Sequence, residues 1–209
     1  MHVKLVRGCC LLLLVLFCRA AIAQDTPKPQ LSYESLVERV KGGDQTVDFR
    51  QLRLAYMGSK TYSNGPDTAT QKKAMTAALN SKDFRSAIKN ADVVLTSNYV
   101  DMDAHFAEYI ANRELNATDK AEFHKFILQA LLKSITDSGD GKTPDTAFQV
   151  IEVHEEYVML RFMGIGLPES QSLLHKNGHS FDEIKFKDPK SGQSVTLYFN
   201  VDIPAQHGL

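Results

Sequence analysis

The sequence predicts an α+β protein: helical hairpins first, with a repeat-like rhythm, then a small, mostly antiparallel β-sheet with one helix against it. Three observations lead there. Apolar residues recur at helical spacing as far as the Ser138-Gly139-Asp140-Gly141 turn. Beyond Pro144 the period shortens towards two, with Val195, Leu197, Phe199 and Val201 alternating against Thr196, Tyr198 and Asn200. Asn177-Gly178 separates two β-rich runs, and this pair accepts the positive φ of a tight hairpin turn.

The chain opens with an export signature. Lys4 and Arg7 give a positive start, Cys9 to Phe17 form a short apolar run, and Ala21-Ile22-Ala23 places small residues before a cut at Gln24. A spanning helix needs roughly 20 apolar residues, and Arg19 interrupts this run too early. Cys18 follows Phe17 rather than a small residue, which argues against lipid attachment. Residues 1–23 are therefore expected to be a cleaved signal peptide, and the protein secreted or periplasmic. Cleavage would take 23 of 209 residues, leaving 186, and all three cysteines go with the signal. The mature chain then has no disulfide, thiolate ligand or cysteine nucleophile. Losing Lys4, Arg7 and Arg19 leaves 21 basic against 25 acidic residues, a formal net charge of −4. No basic run marks a nucleic-acid partner, and no integral membrane segment is expected after signal removal.

Residues 24–30 carry two prolines in polar company and read as a linker. The helical region is expected over 31–138. Leu36, Val37 and Val40 share one side of a helix over Leu31–Lys41, stopped by Gly42-Gly43. Asp48 can cap a second over Phe49, Leu52 and Tyr56, and Gly58 to Pro66 breaks the pattern. An alanine-rich helix follows over Asp67–Leu79. Phe84, Ala87, Ile88, Ala91, Val94 and Leu95 then make a continuous stripe. Asp101 or Asp103 can cap the next helix, to about Arg113. The last, after Asn116-Ala117-Thr118, places Phe123, Phe126, Ile127, Ala130 and Leu131 on one face. Ala87 and Ala121 stand 34 residues apart, the tetratricopeptide period. An unrelated helical bundle fits the same pattern.

The second region, 144–204, is expected to pack on the first as one unit. Ala147 to Val153 reads as a strand, and His154 to Met163 as a helix with Glu155-Glu156 in its first turn. Gly164-Ile165-Gly166 and Pro168 end it. Strands around Ser172–Leu174 and His179–Lys187 flank the Asn177-Gly178 turn, and Asp188 to Gly192 turns into a strand over Ser194–Val201.

Four segments occur in order: Asn98-Tyr99 with Asp103-Ala104-His105; Ser138-Gly139-Asp140-Gly141-Lys142; Val150-Ile151 with Glu155-Glu156-Tyr157; and Tyr198-Phe199-Asn200-Val201. Together they resemble the uncharacterised bacterial family DUF4919, over roughly Leu31 to Ile203. The resemblance implies an exported bacterial protein. It brings no activity and no catalytic residue.

Several clusters bear on chemistry. Gly141-Lys142-Thr143 ends like a phosphate-binding loop, but Thr136 stands where that loop needs its first glycine, and Pro144 follows. Asp137, Asp140 and Asp145 lack the donor spacing of an EF-hand. His154-Glu155-Glu156 is not the zinc-protease motif, because Val158 occupies the place of the second histidine. Capping and solvation account for its two glutamates, while His154 remains a catalytic candidate at a strand-to-helix junction.

His105, Glu108 and His124 form the other candidate set. On a hairpin turning near Asn116 the two imidazoles face each other, and Glu108 lies on the side of His105. Such a set can bind a transition metal or move protons. Phe106, Tyr109, Phe123 and Phe126 around it favour plain packing. No residue is assigned as a metal ligand and no cofactor is expected.

The reading that follows is a soluble envelope protein that binds another protein or a peptide. The alternative is an enzyme, a hydrolase or metal-dependent, with its site between the helical region and the sheet. Convergence of His105, Glu108, His124 and His154 in one concave pocket would favour the enzyme.

Overall fold

Short polar residues set where the helices begin. In the computed structural model, which describes residues 31–206, Ser32 Oγ accepts the amide of Ser35 to start α1 (Tyr33–Lys41). Asp48 Oδ1 accepts the amides of Arg50 and Gln51 at 2.9 and 3.1 Å to start α2 (Phe49–Met57). Asp83 does the same for α5 (Phe84–Ser97), and Asp101, not Asp103, for α6 (Met102–Glu114). Between them stands α4 (Ala69–Asn80), and α7 (Thr118–Thr136) closes the helical part. The expected signal peptide and linker lie outside the described residues.

One helix interrupts the break expected over Gly58 to Pro66. Ser59 Oγ accepts the amide of Tyr62 at 3.1 Å and initiates α3 (Lys60–Asn64). None of its residues is buried, so apolar spacing carries no trace of it.

From α4 to α7 each helix packs on the next, and α7 also packs on α2. The stripe of α5 is buried through Ala87, Ala91, Val94 and Leu95, and α7 contributes Ile127, Leu131 and Ile135. After α7, Gly141 takes a φ of 68°, and a Cβ there would meet the Phe148 ring at 2.5 Å. Its carbonyl accepts from Tyr198 N at 2.8 Å, so this turn is seated directly on the sheet.

The sheet runs β1 (Phe148–Gln149), β4 (Ser194–Asn200), β3 (His179–Lys187), β2 (Ser170–Lys176) in spatial order. Only the β1–β4 pair is parallel. Lys176 pairs with His179 across Asn177-Gly178, whose φ values are 53° and 83°, the turn the sequence predicts. The strand expected over Ala147 to Val153 is a correction: it pairs for two residues only. At Gln149 and Ile151 its polar groups turn to side chains, since Gln149 O accepts from Arg53 and Ile151 N donates to Glu155, while Val150 N keeps a long 3.4 Å bond to Asn200 O. That frees Val153 to start α8 (Val153–Phe162). A short α9 (Asp202–Gln206) follows β4. One buried apolar cluster runs through both parts, from Tyr33 and Leu36 to Phe199 and Val201.

Candidate functional site

Hairpin geometry brings His105 of α6 and His124 of α7 together, with the two Nδ1 atoms 3.0 Å apart. His105 Nε2 lies 2.9 Å from the carbonyl of Tyr99, which can only accept. His105 therefore carries its proton on Nε2, and its bare Nδ1 accepts from His124 Nδ1–H. That assignment leaves His124 Nε2 as a lone pair 3.8 Å from Glu108 Oε2. Asn112 Nδ2 donates to the same carboxylate oxygen at 2.7 Å and to the Glu108 carbonyl at 2.9 Å.

Burial dominates the electrostatics of this cluster. It lowers His105 to about 4, and burial together with the His105 neighbour lowers His124 to about 3. Burial, then the charge of Asp92, raises Glu108 to about 7. With His124 neutral, its approach to Glu108 is not an ion pair. The two-imidazole metal reading meets a physical obstacle: both nitrogens of His105 are already engaged. Among the described residues no group of three His, Cys, Asp or Glu is placed to hold a metal.

His154 does not join them. Its Nε2 lies 2.7 Å from Asp103 Oδ2, and Asp103 also accepts from Arg161. The bond to Asp103 raises the His154 pKa against the opposing effect of burial. The contact ties the first turns of α6 and α8 together.

The neighbouring glutamates correct the expectation that they are solvated, for both are buried. Glu155 accepts from Arg53 Nε at 2.9 Å, Arg53 Nη2 at 2.5 Å and Ile151 N at 2.8 Å. Arg53 also donates to Ser134 Oγ and Gln149 O, so one guanidinium pins α2, α7, β1 and α8. Glu156 faces the sheet instead. Gln171 Nε2 donates to Glu156 Oε2 at 3.2 Å and to Asp182 Oδ2 at 2.6 Å, and Tyr157 OH donates to Gln171 Oε1. Burial and then the Asp182 carboxylate push Glu156 up to about 9. Its Oε1 has no partner among the described residues.

A cleft of about 710 Å³ opens where α2 and the end of α7 meet the sheet, lined by Arg50, Asp137, Asp145, Gln149, His179 and Asn200 among others. Its carboxylates are matched: Asp137 binds Lys133 at 2.6 Å and Asp145 binds Lys176 at 3.0 Å. Arg50 is not, for its only partner among the described residues is the neutral Gln149 Oε1, 2.8 Å away. His179 Nδ1 lies 2.6 Å from Asp202 Oδ2, and Asp202 also accepts Ser180 N and Asn200 Nδ2 at 2.7 and 3.1 Å. Burial raises the Asp202 pKa, but those bonds outweigh it and hold the carboxyl below its usual value. The carboxylate fixes the His179 proton on Nδ1 and leaves Nε2 without a partner among the described residues. Nearby, Ser180 Oγ and His175 Nδ1 are 3.1 Å apart. His175 and Ser180 are cross-strand partners, whereas His179 points to the opposite face. A serine–histidine contact and a histidine–aspartate contact thus exist, on different faces.

A family model described as a domain of unknown function, DUF4919, matches residues 22–207. The chain belongs to this family. No match is found among curated proteins or among solved structures. In this DUF4919 chain the sequence located the His105–His124 pair and, for the alternative reading, a site between the helical region and the sheet, but did not single out Arg50, Gln149, His179 or Asp202. Arg50 and His179 come from elements far apart in the chain, and no spacing links them. Asp202 left one faint signal, as the acid just after the Tyr198-Phe199-Asn200-Val201 segment. The three aspartates weighed for Ca²⁺ take separate partners, Asp140 accepting from Lys142 N and Thr146 Oγ1.

Proposed function

We propose that this DUF4919 chain is an exported binding module that takes a peptide or protein segment into the cleft between its helical part and its sheet. The cleft is the observation that carries the reading. Its volume of about 710 Å³ suits a small ligand or a few residues of peptide. Its walls come from α2, the 137–147 segment between α7 and β1, and strands β1, β3 and β4, and the helix and strands are rigid enough to hold part of a recognition surface. The packed run α4 to α7 is read as tetratricopeptide-like hairpins, an architecture that commonly presents binding faces. Export rests on the charged start, short apolar run and Ala21-Ile22-Ala23. The intact mass of protein recovered from its host should correspond to a start at Gln24.

Binding is tested with a random hexapeptide library incubated with the mature protein, separated by size exclusion and identified by mass spectrometry. The protein should retain peptides, and Ala147→Trp, which fills the cleft wall, should lose them. No retention, or retention undiminished in Ala147→Trp, overturns the proposal. A second reading, a hydrolase at this cleft, draws on the His179–Asp202 contact. It needs a nucleophile, and the hydroxyl of Ser138 is engaged, donating to Ile135 O and accepting from Gln149 N. Recovery of shortened peptides would favour hydrolysis.

A further inference from the structure

We infer that the cleft recognises its ligand through a carboxylate, the C-terminal carboxylate of a peptide, held by Arg50. The inference rests on the binding reading above. Charge matching within the cleft is its first support. Asp137 and Asp145 each have a lysine, whereas the Arg50 guanidinium spends one donor on a neutral amide oxygen. A guanidinium offers five N–H donors in a planar fork that matches the two oxygens of a carboxylate.

The arrangement of polar partners is the second support. Gln149, which holds Arg50, is the β1 residue paired with Asn200 of β4. Asn200 donates to Asp202, and Asp202 holds His179. Arg50 and His179 are thus positioned by one continuous patch of β1, β4 and α9. Arg50 offers the cleft the outer edge of its guanidinium, a donor direction with no acceptor among the described residues, and His179 offers Nε2, an acceptor when Nδ1–H is bound to Asp202. Phe181, Pro144 and Ala147 line the same cleft and supply apolar surface for the residue that bears the carboxylate.

Two hexapeptide libraries lacking Asp and Glu, one ending in a free acid and one in an amide, test the inference by affinity selection on the full mature protein. The free-acid library should be retained at least tenfold more strongly. That preference should disappear in Arg50→Gln and recover in part in Arg50→Lys, which restores charge without the fork. Arg50 is exposed, so the variants should fold, and circular dichroism checks this. Equal retention of both libraries overturns the carboxylate inference and leaves the binding reading standing. Retention of neither, nor of libraries containing Asp and Glu, overturns both. An amidated library with Asp and Glu restored, held as well as the free acid, transfers recognition to side-chain carboxylates and overturns the terminal assignment. A free-acid preference that survives in Arg50→Gln overturns the role of Arg50.

Discussion

Glu155 and Glu156 are adjacent in the first turn of α8 and both are buried, yet they live in opposite chemistries. Glu155 points to the helical side, where Arg53 from 102 positions earlier meets it with two donors and Ile151 N adds a third. Glu156 points to the sheet side, where it meets another carboxylate, Asp182, with one amide between them. The helical side of the seam is held by matched charge. The sheet side is held by keeping an acid neutral. The first arrangement punishes mutation of one partner, and the second responds to pH.

The largest expected effect comes from breaking the matched side. Glu155→Ala leaves the Arg53 guanidinium buried without its carboxylate and should cost about 3–5 kcal/mol in urea denaturation. Arg53→Met with Glu155→Leu removes both charges and should recover most of that loss. A cost below about 1 kcal/mol for Glu155→Ala would show that this pair does not hold the seam.

The unmatched side should respond to pH instead. The folded-state pKa of Glu156 is raised from 4.5 to about 9, so the folded protein holds a proton that the unfolded chain has released. Its contribution is fully present below about pH 4.5 and is lost as pH rises towards 9. Between pH 4.5 and 7 the loss is on the order of 3 kcal/mol. Glu156→Gln mimics the neutral acid and should abolish that part of the slope, so the variant gains on the wild type as pH rises. A constant difference between the two from pH 4.5 to 7 would mean that Glu156 titrates normally.

Elements built from local contacts were legible in the sequence, and the seam was not. Asp48 and Asp101 announce their helices because a cap acts within three residues. The Asn177-Gly178 turn and the alternation of β4 are equally local. His105 and His124 could be placed face to face because a short hairpin fixes their heights. Glu155 and Glu156, by contrast, read as an ordinary acidic first turn, since nothing near them mentions Arg53 or Asp182. Ala147 to Val153 looked like a strand because its β-rich composition is local, while the side chains that divert its backbone, Arg53 and Glu155, are not both there. The cleft shares that fate: Arg50, Gln149, His179 and Asp202 meet only through tertiary packing.

The smallest effect belongs to the histidine pair, which offers a third way to bury titratable groups: neutral bases rather than matched charge or a neutral acid. His105 and His124 have folded-state pKa values of about 4 and 3, below the ordinary 6.5. Their contribution is therefore intact above pH 6.5 and is lost as pH falls through those values, the opposite sign to Glu156. His124→Gln removes a donor to His105 Nδ1 only if the amide fails to reach it, and should cost about 1–3 kcal/mol at pH 7. It should also flatten the acid side of the stability profile. Zn²⁺ decides whether the cluster is more than packing. An ion at 100 times its dissociation constant would stabilise the fold by about 2.7 kcal/mol, a melting shift of about 5–11 °C for a chain of this size. No shift is expected, because His105 has committed one nitrogen to Tyr99 O and the other to His124. A zinc-dependent rise that disappears in His105→Ala would mean that the hydrogen-bond chain opens to ligate metal, and would draw this region away from packing and towards catalysis.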